Sequence, residues 1–384
     1  MKKLFASLLI FIVVSACSQA TPSPTVTVQI PSTSAPTEIE AAERPPEPFE
    51  EAEPTTPPIE QRVLTVMTHD SFAASEDVVA AFEAENNAKV RFLSAGDAGT
   101  ALNKAILSKD NPLADVFYGV DNTFLSRAVK EGIFMPYASP LLADIPPEFQ
   151  LDPGQSALPV DYGDVCLNYD LAYFETNNLQ PPTVLEDLLK KEYRGLLVVE
   201  NPATSSPGLA FLLATVATFG ERGYLDYWRR LVENDVLVVN DWETAYYTEF
   251  SRWGGTRPII VSYGSSPPFE VIFAEEPIES PPTGVVTGPG ACFRQIEFVG
   301  ILKGTQNQDL AEKWVDFMLS PLFQEDIPLQ MYVFPVNPQA KLDEIFVKYM
   351  AIPEQPAVLS PESIAANREA WLNAWTEVVL RGGQ

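Results

Sequence analysis

Leu158-Pro159-Val160-Asp161-Tyr162-Gly163-Asp164-Val165-Cys166-Leu167-Asn168-Tyr169-Asp170 lies near the middle of the chain, and its reading decides the fold. An apolar entry, a Tyr-Gly break and a second apolar run read as a strand with a flexible point at Gly163. Glycine admits backbone angles there that other residues resist. On both sides of this stretch the chain repeats one pattern of β-branched run, polar loop and helix. That alternation predicts an α/β architecture, mostly parallel sheets with helices on both faces. The stretch itself then reads as a crossover between two α/β lobes, with ligand bound between them.

Upstream, Val63 to Thr68 is a strand, Val78 to Asn86 a helix, Lys89 to Leu93 a strand and Ala98 to Leu107 a helix. Asp115 to Gly119 is a third strand. In open α/β sheets ligands collect at the carboxyl ends of strands. The loops His69-Asp70-Ser71-Phe72 and Gly119-Val120-Asp121-Asn122 lie at that edge and form half of a candidate site. Downstream come strand Leu196 to Glu200, the loop Asn201 to Gly208 and a helix from Leu209 to Phe219. The Ser and Thr residues of that loop, Ser205 among them, read either as helix caps or as an anion site at a helix N-terminus.

Further on, Tyr224 to Glu233 reads as a helix, Asp241 to Tyr247 as the start of another, and Ile259 to Tyr263 as a buried strand. Trp242, Tyr263 and Phe269 stand at successive loop mouths. They are either core residues or a platform on which a flat or cationic ring stacks. Gln295 to Leu302 returns the chain to the first lobe, followed by helix Leu310 to Leu319, the segment Ile327 to Pro335 and an end helix Pro361 to Leu380. Trp371 and Trp375, one turn apart on that helix, read as packing residues.

A chain of 384 residues exceeds one usual domain, so two compact units plus appendages are expected. The net charge of −27 argues against a nucleic-acid partner and is compatible with a cationic ligand. Met1-Lys2-Lys3 precedes an apolar run, Leu4 to Val14, too short for a comfortable membrane span. Val14-Ser15-Ala16-Cys17 resembles the bacterial lipobox, which implies cleavage before Cys17 and lipid attachment to it. Residues 18–61 are rich in Pro, Thr, Ser and Glu and read as an extended disordered linker. The expected organisation is leader 1–17, linker 18–61, first lobe 62–160 and 295–384, and second lobe with crossovers 161–294. The mature protein is expected to be a monomer outside the cytoplasmic membrane, held to it by the lipid alone.

Several blocks together resemble the periplasmic thiamine-binding proteins of ABC importers. They include Thr68-His69-Asp70-Ser71-Phe72-Ala73-Ala74, Gly119-Val120-Asp121-Asn122, Val160-Asp161-Tyr162-Gly163 and Thr204-Ser205-Ser206-Pro207-Gly208. Asp241-Trp242-Glu243-Thr244-Ala245-Tyr246, Ser262-Tyr263-Gly264-Ser265-Ser266-Pro267 and Asn367-Arg368-Glu369-Ala370-Trp371 follow in the same order. The resemblance implies a two-lobed, type II periplasmic-binding-protein-like fold that closes on thiamine or its mono- or diphosphate, needs no cofactor, and delivers the ligand to a membrane permease. It implies that Trp242 and Phe269 stack on the rings, with Tyr332 where the family often has tryptophan. It implies that Asp121, Ser205 and Tyr263 hold the hydroxyethyl or phosphate end and that Asp70 lies near the aminopyrimidine or the cationic ring. His69 stands where the family usually has tyrosine, and His69, Ser71 and Tyr162 complete the expected ligand contacts.

Two alternatives remain beside this reading. One is a ferric-ion-binding protein of the same superfamily, using adjacent tyrosines such as Tyr246-Tyr247. The other is an enzyme resembling thiaminase I, with Cys166 as nucleophile. Cys166 and Cys292 precede or lie in adjacent crossovers, so each is either a buried thiol or half of a disulfide formed in an oxidising compartment. The chain carries no Ser/His/Asp arrangement, P-loop or zinc motif, and it is read as a binding protein rather than an enzyme.

Overall fold

The computed structural model describes residues 61–382. The leader with Cys17, and the linker up to residue 60, lie outside the described residues. Among the described residues no helix is long and apolar enough to cross a membrane.

The first layer alternates strands and helices as the β-branched runs and polar loops require. Its elements are β1 (Arg62–Thr68), α1 (Glu76–Asn86), β2 (Ala88–Ser94), α2 (Ala98–Leu107), β3 (Val116–Asp121), α3 (Leu125–Glu131) and the short β4 (Phe134–Met135). β1 pairs in parallel with β2 and β3, and the buried Leu64, Val66, Val116 and Phe117 form the middle of this core. Each helix has a local reason to begin or stop. The Asp97 side chain accepts the N–H of Ala98 at the start of α2, and Gly132, at φ 63°, ends α3 in the left-handed conformation.

β5 (Leu158–Asp170) is the long strand expected at the crossover, and α4 (Leu171–Thr176) follows it. β6 (Leu197–Glu200), α5 (Ser206–Glu233), β7 (Leu237–Val239), β8 (Ile259–Tyr263), α6 (Ser266–Ile272) and β9 (Thr283–Val286) come next. The two helices expected at Leu209 to Phe219 and Tyr224 to Glu233 form one kinked unit, with non-helical angles at Gly220 (φ 70°, ψ 169°). Between α4 and β6 a 3-10 segment runs over Leu185–Leu189. The helix expected after Asp241 takes π geometry over Thr244–Glu249. The chain then runs through β10 (Phe293–Leu302), α7 (Gln308–Leu319), α8 (Pro321–Met331), β11 (Phe334–Pro335), α9 (Glu344–Tyr349) and α10 (Pro361–Val379).

The strands form one mixed sheet in the order β2-β1-β3-β10-β5-β8-β6-β7. Its two ends, β2-β1-β3 and β8-β6-β7, are parallel, whereas β5 and β10 pair antiparallel with each other and with their other neighbours. The first part of β5 therefore faces β10 and the last part faces β8 and β9, so one strand joins the two parallel groups. Gly163 is no break in it. The strand runs through unbroken, and a Cβ at this position would stand 2.9 Å from Tyr263 Cδ1. The glycine makes room for that ring. Cys166 and Cys292 are disulfide-bonded beside this junction. α10 lies across α5, where Trp375 meets Trp228 edge-on at 5.4 Å, so both end-helix tryptophans pack in the core.

Candidate functional site

A cavity of about 130 Å³ opens where strand ends from both parallel groups converge. His69 follows β1, Asp97 caps α2, and Ser206 with Pro207 begins α5. Trp242 and Glu243 precede the π turn, Tyr263 ends β8, Glu297 comes from β10, and Tyr332 follows α8. Tyr332 has φ 62°, an uncommon conformation for a bulky side chain, and its carbonyl accepts the Ser265 hydroxyl. His69 lies against the backbone of β3 only because residue 119 is glycine, at φ 105°; a Cβ there would collide with the imidazole.

The aromatic wall is held from behind. The Trp242 indole stacks on Tyr246 with centroids 4.8 Å apart and meets Tyr247 edge-on at 5.8 Å. Its Nε1 donates to Ser262 Oγ at 3.1 Å and its backbone N–H donates to Asp97 Oδ2 at 3.2 Å. The second contact ties the loop before the π turn to the start of α2. Tyr332 rests on Phe269 with centroids 3.8 Å apart.

Carboxyl groups complete the lining: Asp97, Glu243 and Glu297, with no Lys or Arg side chain in the wall. Burial pushes the Asp97 carboxyl up to about 6, against the N–H of Ala98, which favours the charged form. Asp121, wholly buried behind the wall, is also pushed up to about 6 by burial. Glu297 faces Asp161 across the β5–β10 pair, and Tyr118 Oη donates to Asp161 Oδ2 at 2.5 Å and reaches Glu297 Oε2 at 2.9 Å. Burial first, and the Glu297 carboxyl second, raise Asp161 well above the ordinary carboxylate range. His69 Nε2 stands 3.6 Å from Glu297 Oε1.

The pH dependence follows from these directions. A carboxyl raised in the folded state holds its proton at a pH where the unfolded chain has released it. The stabilisation is full below the unfolded value, near 4, and is lost as pH rises through about 6 for Asp97 and Asp121. The ligand-free protein is therefore expected to melt several degrees higher at pH 5 than at pH 7.5. Asp97→Asn should flatten that slope, which thermal denaturation across the pH range would read directly.

Of the expected ligand contacts, His69, Ser71, Trp242, Tyr263 and Tyr332 line the cavity. Asp70 does not. It is exposed, and its Oδ1 accepts Gly96 N–H at 2.8 Å and the Ser94 hydroxyl, closing the turn between β2 and α2. Asp121 is spent on the Thr123 N–H at 2.6 Å and on the Ser206 hydroxyl. Ser205 is wholly buried as the cap residue of α5, and Phe269 lies behind Tyr332 against Phe346. Tyr162 sits between Phe149 and Phe334, with the Arg294 guanidinium 5.0 Å from its ring. Asp97, Glu243, Tyr247 and Glu297 line the cavity and were not among the expected contacts. Tyr247 stands out in sequence only as a phenol for the ferric-ion alternative; an acid inside the apolar run Ile296-Glu297-Phe298 is the signal that could have found Glu297.

The two alternatives meet specific side-chain contacts. Cys166 is wholly buried and disulfide-bonded, so it presents no thiolate. Tyr246 Oη donates to Glu270 Oε1 at 2.9 Å behind Trp242, whereas Tyr247 lines the cavity, so the adjacent phenols do not converge on one point.

The family model described as bacterial extracellular solute-binding protein matches residues 111–352. A thiamine-binding periplasmic protein of Escherichia coli is 30% identical over 335 residues, 85% of this chain and 96% of its own length. One from Brucella suis is 27% identical over 323 residues, 83% of this chain and 92% of its own. Among solved structures, a periplasmic thiamin binding protein superposes with a TM-score of 0.73 at 28% identity, covering 83% of this chain and 96% of that one. A ferric binding protein from Campylobacter jejuni gives a TM-score of 0.66 at 20% identity over 82% of this chain and 99% of its own, a likeness of fold alone. These relatives are binding proteins with the two-lobed periplasmic fold, not enzymes. With parallel strand groups joined by antiparallel crossovers and a cavity at their convergent ends, this chain belongs to the bacterial extracellular solute-binding proteins.

Proposed function

We propose that the protein is an extracytoplasmic lipoprotein that captures thiamine between two lobes, residues 62–160 with 295–384 and residues 161–294, and delivers it to an ABC importer permease. Cys17 would carry the lipid and residues 18–61 would space the binding body from the membrane. The observation that carries this reading is the composition of the cavity wall. Trp242, Tyr247, Tyr263 and Tyr332 supply aromatic rings, Asp97, Glu243 and Glu297 supply carboxyl groups, and no basic side chain but His69 is present. A flat, permanently charged thiazolium gains from aromatic faces and nearby carboxylates, and most when desolvated. The relatives named for thiamine support the same ligand.

The wall also argues for a preference. The start of α5 is the feature best suited to a phosphate, because its free N–H groups and dipole favour an anion. Asp121 already bonds the Ser206 hydroxyl there, and Asp97 stands on the same wall. A diphosphate would meet these acids without a compensating lysine or arginine. Titration calorimetry at pH 7.5 is therefore expected to rank thiamine above thiamine diphosphate by about tenfold or more, roughly the 1.4 kcal/mol of one unfavourable charge contact. Equal constants would show that the acids do not face the phosphate end.

A further inference from the structure

The block Asn367-Arg368-Glu369-Ala370-Trp371 has no part in the cavity just described, yet its arginine is placed with care. Arg368, on α10, is only 4% exposed, and its guanidinium lies over the Phe124 ring at 4.4 Å. Its Nη1 pairs with the solvent-facing Glu369, while its Nε is buried with no hydrogen-bond partner. Arg368 lines a groove of about 680 Å³ together with Arg127 and Lys130 of α3, Asn103 of α2, Asn373 of α10 and Ala203 from the loop before α5. The chain has 25 basic residues against 52 acidic ones, so three cations meeting in one groove run against its composition. Two acids line the groove with them: Glu369, paired with Arg368, and Glu131, engaged by Lys109 at 3.0 Å.

We propose that this groove is a second binding site, for a phosphate-type oxyanion held by Arg127, Lys130 and the buried Arg368. A guanidinium with an unused buried N–H is a standing cost that a charge-assisted acceptor removes. Burial works hardest against the Arg368 charge, Glu369 offsets part of that cost, and Arg127 stands near enough to oppose the charge further, so an anion in the groove would complete the compensation. Asn103 and Asn373 add neutral donors for the remaining oxygens. The groove lies apart from the cavity wall and shares no residue with it.

The ligand chemistry could come from free phosphate or from a phospholipid headgroup, so inorganic phosphate and glycerol phosphate are titrated separately against the full chain at constant ionic strength. Each is read by calorimetry and by melting temperature, with chloride as the control. Either compound should bind and raise the melting temperature of the parent protein by a few degrees at saturation. A response to inorganic phosphate identifies the free anion as sufficient, and one to glycerol phosphate alone identifies the headgroup. Arg368→Gln should abolish the response. Because that change could unfold the protein, the surface variant Arg127→Gln/Lys130→Gln is measured beside it and should bind at least about tenfold more weakly, with thiamine affinity unchanged. No response to either compound in the parent protein, or an equal response in the surface variant, overturns the proposal.

Discussion

Replacing Cys166 and Cys292 together with alanine is expected to lower the unfolding free energy by about 3–5 kcal/mol. The bond closes a loop with a sequence separation of 126 residues, and in the chain-entropy account a loop of that order restricts the unfolded state by about 5 kcal/mol. Its position adds to the effect. Cys166 sits in β5 opposite Ser262 of β8, and Cys292 immediately precedes β10, so the bond joins the two strands on which both parallel groups depend. Thermal unfolding with and without reductant would show a fall of roughly 6–20 °C, at about 2–4 °C per kcal/mol for a large domain. A melting temperature indifferent to reductant, with both thiols alkylated afterwards, would refute it by showing that the bond opened at no cost.

Trp242→Ala is expected to weaken thiamine binding by about 2–3 kcal/mol, roughly 30- to 150-fold in the dissociation constant. The indole lines the cavity and is nearly buried, which puts a cation–aromatic contact there near the top of its range. Loss of the ring also frees Tyr246, on which it stacks, and Ser262, to which it donates. Trp242→Phe keeps a ring and should recover most of the affinity, which separates the aromatic term from simple collapse of the wall. Calorimetry on both variants, with their melting temperatures as a check on folding, decides the matter. An unchanged constant for the alanine variant would remove Trp242 from the ligand.

What sequence could and could not reveal divides along one physical line. Local pattern is enough to place the long strand at Leu158–Asp170, the alternating elements before and after it, and the return strand at Phe293–Leu302. It also brings Trp242 and Tyr263 to strand ends and loop mouths, because aromatic residues beside turn chemistry stand out in a short window; Tyr332 is marked only by the family resemblance. Asp97 shows no such mark. It earns its place by capping α2 while accepting from Trp242, 145 residues away, and that proximity exists only once the sheet has formed. Glu297 is hidden inside a strand whose apolar neighbours dominate its reading. Phe269 and Asp121 show the converse: a ring and an acid at the expected strand ends, one turned behind Tyr332 and the other drawn into the backbone ahead of α3. Side-chain direction is set by partners that a window of sequence does not contain.

The proposed recognition of thiamine depends on its charge meeting rings and acids. It is tested most directly by comparing thiamine with its flat deaza analogue, in which carbon replaces the charged thiazolium nitrogen, by calorimetry at pH 7.5. The two have the same shape and the same pyrimidine, so the ratio of their constants isolates the cation. Thiamine is expected to bind with one site per chain and at least about 30-fold more tightly, the order of 2 kcal/mol for a desolvated cation against aromatic faces. Equal affinity for the neutral analogue would contradict the account.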